Sequence, residues 1–215
     1  MNPFTFYSRH NLSELTGIRV NGIEGLLENL KSVPGSSIYH HTHRFLQQHL
    51  YLSPEPPNDF AYWVSEILGD DELGEQLASI DIVQFNSIRA IRERLVEVIE
   101  LYLSSKPETR KKFAVKGKEF YFIKSISFIL PTKHTVKDLR EFHEALSVIS
   151  IDSIYFHTFE ARLRLERGVN DFSFWVDTSL GERALAGEIA GIDPYTCTLE
   201  ALRGQLLKII AKRIK

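Results

Sequence analysis

The chain of 215 residues, 43% hydrophobic and 25% charged, has the balance of a folded globular protein of one or two domains. Its net charge of −2 supplies no long-range field to gather a polyanion, so neither nucleic acid nor an anionic membrane is expected as a partner. No apolar run approaches the roughly 20 residues that span a bilayer, and the start Met1-Asn2-Pro3-Phe4-Thr5-Phe6 lacks a secretory pattern, so a cytoplasmic protein is expected.

Two stretches repeat one another. Asn58-Asp59-Phe60-Ala61-Tyr62-Trp63-Val64 returns as Asn170-Asp171-Phe172-Ser173-Phe174-Trp175-Val176, and the ungapped match from Asn58 to Asp81 against Asn170 to Asp193 holds 11 identities in 24 positions. Ser37-Ile38-Tyr39-His40-His41-Thr42 likewise answers Ser153-Ile154-Tyr155-Phe156-His157-Thr158. Nearly the whole chain reads as two copies of one unit.

In chain order, the aromatic-rich residues 3–8 and 119–126 suit short strands, although helix and strand compete there. Ile23, Leu26, Leu27 and Leu30 fall at helical spacing, as do Val136, Leu139, Phe142 and Leu146. The next helix begins near Ser36 or Asp152 and is expected to run to about Gln48 or Glu166. Asn58 and Asn170 read as N-caps of a helix that buries Phe60, Trp63 and Val64, or Phe172, Trp175 and Val176. A short helix follows with Leu73, Leu77 and Ile80, or Leu185, Ile189 and Ile192. The last opens at Ser87 or Thr198 and carries Ile88, Ile91, Leu95 and Val98, or Leu199, Leu202, Leu206 and Ile209.

These elements predict a mainly α fold. They suggest a tandem internal duplication of a roughly four-helix unit with pseudo-twofold symmetry, packed as one globular body. The repeats are placed at 1–103 and 113–215, joined by an exposed, polar linker at 104–112.

Chemistry is sparse. The shared histidines His41 and His157 fall on the apolar faces of their helices, where satisfied core residues are the simplest expectation. The sharper reading gathers Tyr39, His41, Tyr155, His157, Glu160 and Arg162 into a ligand site between the repeats. A metal site is disfavoured because Glu160 aligns with Arg44, which leaves the ligand count short, and no cofactor is expected. Helix capping explains the repeated Asn-Asp pairs. The single cysteine, Cys197, excludes an intramolecular disulfide and is expected among apolar neighbours. There is no phosphate-cradling glycine loop, no Gly-x-Ser-x-Gly elbow, no His-Glu-x-x-His pair and no Cys-x-x-Cys.

The segments Ser36–Leu46, Pro57–Trp63 and Tyr155–Leu165 resemble a prokaryotic family known only as a domain of unknown function, over nearly the whole chain. The resemblance implies a stand-alone, full-length protein and transfers no catalytic residue. The expected function is a binding or scaffolding role for a protein or small-molecule partner. The alternative is a sensor or enzyme acting around His41 and His157.

Overall fold

The structure, a computed structural model, describes residues 2–44, 58–160, 163, 169–193 and 197–214. It is a mixed α/β fold. The mainly α duplicated bundle is overturned by two strands far longer than the sequence suggested: β1 (Phe4–Val20) and β2 (Phe120–Val136), paired as a two-stranded antiparallel sheet. Alternation into a core is clear where Phe4 and Phe6, or Phe120 and Phe122, are buried. Beyond them polar and apolar residues mix, with Leu12, Leu15, Phe128, Ile129 and Leu130 exposed, and each strand pairs with a segment over a hundred residues away, so no local pattern signals their length.

The helices follow the expected stripes except at Val136, which ends β2 rather than opening the helix with Leu139, Phe142 and Leu146. In the first half they are α1 (Ile23–Ser32), α2 (Gly35–Tyr39), α3 (Asp59–Tyr62), α4 (Asp71–Ala78) and α5 (Ile88–Ser105). In the second they are α6 (Leu139–Val148), α7 (Ile151–Tyr155), α8 (Asp171–Leu180), α9 (Arg183–Ala190) and α10 (Leu199–Ala211). Helices α2 and α7 each continue into one widened π turn, His40–Arg44 and Phe156–Glu160. Asn58 and Asn170 cap as expected, accepting from Ala61 N–H at 2.8 Å and Ser173 N–H at 2.9 Å. Helix α3 continues as a π turn at Trp63–Ile67, and Gly69 and Gly181, at φ 63° and 73°, supply the left-handed residue that closes this turn and α8. The expected continuation to Gln48 and Glu166 lies outside the described residues, as does Arg162.

The described residues form two compact units whose composition differs from the sequence halves. The C-terminal unit takes 2–10 together with the residues from 127 onward; the N-terminal unit takes 11–44 and 58–126. Each strand is therefore divided between units. In the C-terminal unit Phe4 and Phe6 join Phe142, Leu146, Phe172, Trp175 and Leu206 in one core, with Phe6 stacked on Phe142 at 5.4 Å. In the N-terminal unit Phe120 and Phe122 are buried with Ile23, Leu26, Phe60, Leu73 and Leu95, and Phe60 stacks on Phe120 at 5.3 Å. Each core is closed by aromatics that belong, in sequence, to the opposite half of the chain.

Segment 104–112 is ordered. Helix α5 runs to Ser105, and a 3₁₀ turn follows at Pro107–Lys111. Its Thr109 is buried and donates to Asp70 Oδ2 at 3.0 Å, beside a bond of 2.7 Å from the Tyr102 hydroxyl to Oδ1 and an ion pair of 3.0 Å with Lys112. Cys197 is partly buried against the C-terminal core.

Candidate functional site

In both units the histidine sits in the π turn, and the threonine after it donates back to the carbonyl four residues earlier. Thr42 Oγ1 reaches Ile38 O at 2.7 Å, and Thr158 Oγ1 reaches Ile154 O at 2.6 Å. His41 and His157 are each 2% exposed. His157 Nδ1 lies 2.8 Å from Asp171 Oδ2, and its Nε2 accepts the N–H of Tyr7 at 2.9 Å. His41 makes the same pair of bonds, with Asp59 Oδ2 at 2.7 Å and the N–H of Ile123 at 3.0 Å.

These contacts fix the tautomer. A backbone amide can only donate, so Nε2 must present its lone pair, and Nδ1 must then carry the proton that it gives to the carboxylate. Each imidazole is neutral and has both nitrogens occupied. The carboxylate comes from the first turn of α3 or α8, where the positive helix end favours it. The amide comes from a strand edge that a two-stranded sheet leaves without a ladder partner. Helix, helix and strand thus meet at one ring, packed in the C-terminal unit between Phe4 at 4.9 Å and Phe172 at 5.3 Å.

The remaining sequence candidates are distributed between the units. Tyr39 is buried in the N-terminal unit with His41 and stacks on His43 at 5.3 Å. Tyr155 is buried in the C-terminal unit with His157 and stacks on Phe159 at 4.9 Å. Glu160 is buried there in an ion pair with Arg9, whose guanidinium also donates to the Ser127 hydroxyl. Arg9 was not anticipated, because it lies just past the short strand read from the aromatics. Arg162 lies outside the described residues. Among the described residues no group of three or more His, Cys, Asp or Glu side chains could hold a metal ion.

A cleft of about 620 Å³ opens in the C-terminal unit, within the size range of small-molecule sites. His157 and Asp171 form part of its wall, with the rings of Tyr7, Phe156, Phe174 and Trp175 and the hydroxyl-bearing Thr5, Thr178 and Ser179. The Trp175 indole N–H is held by Asn2 O at 2.9 Å, and Phe174 is 37% exposed at the mouth. Phe174 also borders a smaller cavity of about 240 Å³. The sequence carried a signal for this face: burying Phe172, Trp175 and Val176 turns Phe174 outward, as burying Phe60, Trp63 and Val64 turns out Tyr62.

No helix among the described residues is long and apolar enough to cross a membrane. A comparison with curated proteins finds no match. Among solved structures the chain is similar to OrfY from Thermoproteus tenax, with 28% identity and a TM-score of 0.81 over 98% of this chain and 95% of that one. A family profile matches residues 1–211, and with that coverage the chain belongs to DUF5752, a family of unknown function.

Proposed function

We propose that this protein is a cytoplasmic binding protein that takes a small molecule in the cleft of its C-terminal unit. The observation that carries this reading is the double engagement of His157. Its imidazole cannot take or give a proton without surrendering a bond to Asp171 or to Tyr7. The most chemically versatile side chain on the cleft wall is thereby committed to holding the wall together. What remains is an aromatic surface studded with hydroxyls, which suits recognition better than catalysis. The near-neutral charge and single cysteine support the cytoplasmic assignment. The matching order of elements in the two halves, down to strands of 17 residues each, supports descent from one strand-and-helix unit.

The test is a thermal-shift comparison of wild type and Thr178→Trp, a substitution at an exposed position of the cleft wall. Choline, sorbitol, succinate and ATP serve as probes of four ligand classes. The reading expects at least one to raise the melting temperature of the wild type and not of the variant. No shift with any of the four, or shifts that survive in Thr178→Trp, would contradict it.

A further inference from the structure

We propose that the N-terminal unit docks on an anionic lipid surface through residues 110–118; the cleft lies in the other unit and plays no part in this. The segment holds five basic side chains, Arg110, Lys111, Lys112, Lys116 and Lys118, and no acidic one. The net charge of −2 averages over the whole chain, but salt screens charges beyond about 8–10 Å, so at a contact the local excess is what counts. Among the lysines stand Phe113 and Val115, 62% and 71% exposed. Large apolar side chains left in water beside unpaired charge are the mark of a surface that meets something.

The segment is tied down at four points, so this exposure is built into the fold. Arg110 holds Glu24 and Leu103 O, both at 2.8 Å, and Lys112 holds Asp70 at 3.0 Å and Gly69 O at 2.7 Å. Ala114 N–H donates to Asn21 O at 2.7 Å, and Lys118 O accepts the Trp63 indole N–H at 2.8 Å. A β-turn follows Val115, closed by Lys118 N–H to Val115 O at 3.0 Å with Gly117 at φ 88°. With Lys112 and Ala114 anchored inward, the intervening Lys111, Phe113 and Val115 are exposed, and Lys116 and Lys118 are exposed at the turn. Those three lysines make no ion pair among the described residues, and the next carboxylate along the chain, Glu119, is turned onto the Gly117 N–H at 2.9 Å.

A basic surface attracts three kinds of partner, and they place different demands on it. A nucleic acid engages lysines by its phosphates and stacks a base on Phe113, yet it leaves Val115 in water. Protein interfaces favour arginine and are depleted in lysine, and the one arginine here is already engaged. A bilayer interface uses every exposed group. Phe113 and Val115 enter the boundary between headgroups and acyl chains, the lysine stems lie along it, and the ammonium groups stay level with the lipid phosphates.

Co-sedimentation with lipid vesicles tests this. We expect saturable binding to vesicles of equal parts phosphatidylcholine and phosphatidylglycerol, at least about tenfold stronger than to phosphatidylcholine alone and falling as salt is raised. Combining Lys111→Glu, Lys116→Glu and Lys118→Glu should abolish it, and combining Phe113→Ser with Val115→Ser should weaken it about tenfold, with thermal melting as the check on folding. The Phe113 ring rests against Gly22, so if that pair fails to fold, Val115→Ser alone decides, with a loss of about threefold. No binding to either vesicle, or equal binding to both, would overturn the proposal. Lysine-dependent binding that survives in the serine variants would also overturn it and reassign the surface to a soluble polyanion, with polyglutamate and a single-stranded oligonucleotide as the probes.

Discussion

The N–H of Tyr7 donates to Nε2 of His157 at 2.9 Å across 150 residues of sequence, and this bond ties the first residues of β1 into the C-terminal unit. Ile123 and His41 are joined in the same way at 3.0 Å in the N-terminal unit. In each case the imidazole stands where a third strand would accept from the sheet edge, while its other nitrogen holds a helix N-terminus through an aspartate. The histidines are clamps between elements that are remote in sequence.

Truncating a clamp should cost both bonds and leave a void. For His157→Ala the bonds to the Tyr7 amide and the Asp171 carboxylate are both lost, against Phe4 and Phe172, and a loss of about 3 kcal/mol is expected from urea denaturation. His41→Ala should behave alike. Replacing the exposed His10 should change stability by less than about 0.5 kcal/mol. A His157→Ala protein as stable as wild type would rule out the clamp.

Strand exchange predicts that neither half of the sequence folds alone. A fragment of residues 1–112 lacks Phe120 and Phe122 for its core and the Ile123 amide for His41. A fragment of 113–215 lacks Phe4, Phe6 and the Tyr7 amide. Circular dichroism should find no cooperative melting in either fragment, and a cooperative transition should return when the two are mixed. Independent cooperative folding of either one would contradict the exchange.

Asp70 ties α4 to α5 and the following 3₁₀ turn in the N-terminal unit. Burial opposes its charge, but hydrogen bonds from Tyr102, Lys112, the Leu73 amide and Thr109 prevail and hold its carboxyl below the usual carboxylate value. Burial and the Asp70 carboxylate in turn push the Tyr102 phenol up. A carboxyl whose folded value lies below its unfolded one stabilises the protein above the unfolded value, and that contribution is lost as the pH falls through the folded value. The stability gap between wild type and Asp70→Asn should therefore be full at neutral pH and narrow below about pH 4. A gap independent of pH would contradict the charged network. Asp70→Ala should cost about 3 kcal/mol at neutral pH, since it strands two buried hydroxyls.

Gly74 marks a close approach. A Cβ there would lie 2.7 Å from Ser65 Cβ, with Ser65 backbone atoms at 3.2 Å, so α4 cannot accept even a methyl group without shifting. Gly74→Ala should lose about 1–3 kcal/mol in thermal or urea unfolding despite the higher helix propensity of alanine. A gain in stability would show that the two segments have room to separate.

Much of the helical framework was legible because its signals are local. Ile23, Leu26 and Leu30 repeat at helical spacing, Asn58 and Asn170 are caps, and the tryptophans lie on buried faces. The sheet was illegible beyond its aromatic starts, since past Arg9 the apolar Leu12, Leu15 and Ile18 of β1 fall every third residue rather than every second, and its partner is set by tertiary contacts alone. At the candidate site, the repeated Asp59 and Asp171 were read through the helix dipole. They do open their helices, but the histidine each one holds lies 18 or 14 residues upstream, a distance at which spacing carries no information. Glu160 stood out in sequence, while its buried partner Arg9 sits in a strand that the sequence ended too early.

The most direct test of the clamp is the tautomeric state of His41 and His157, read from long-range ¹H–¹⁵N correlation spectra of the imidazole nitrogens near pH 7.5. The account predicts that both rings are neutral, with the proton on Nδ1 and a bare, hydrogen-bonded Nε2. A proton on Nε2 of either ring would be incompatible with a backbone amide donating to that atom. It would return the histidines to the pool of groups able to bind a ligand or move a proton.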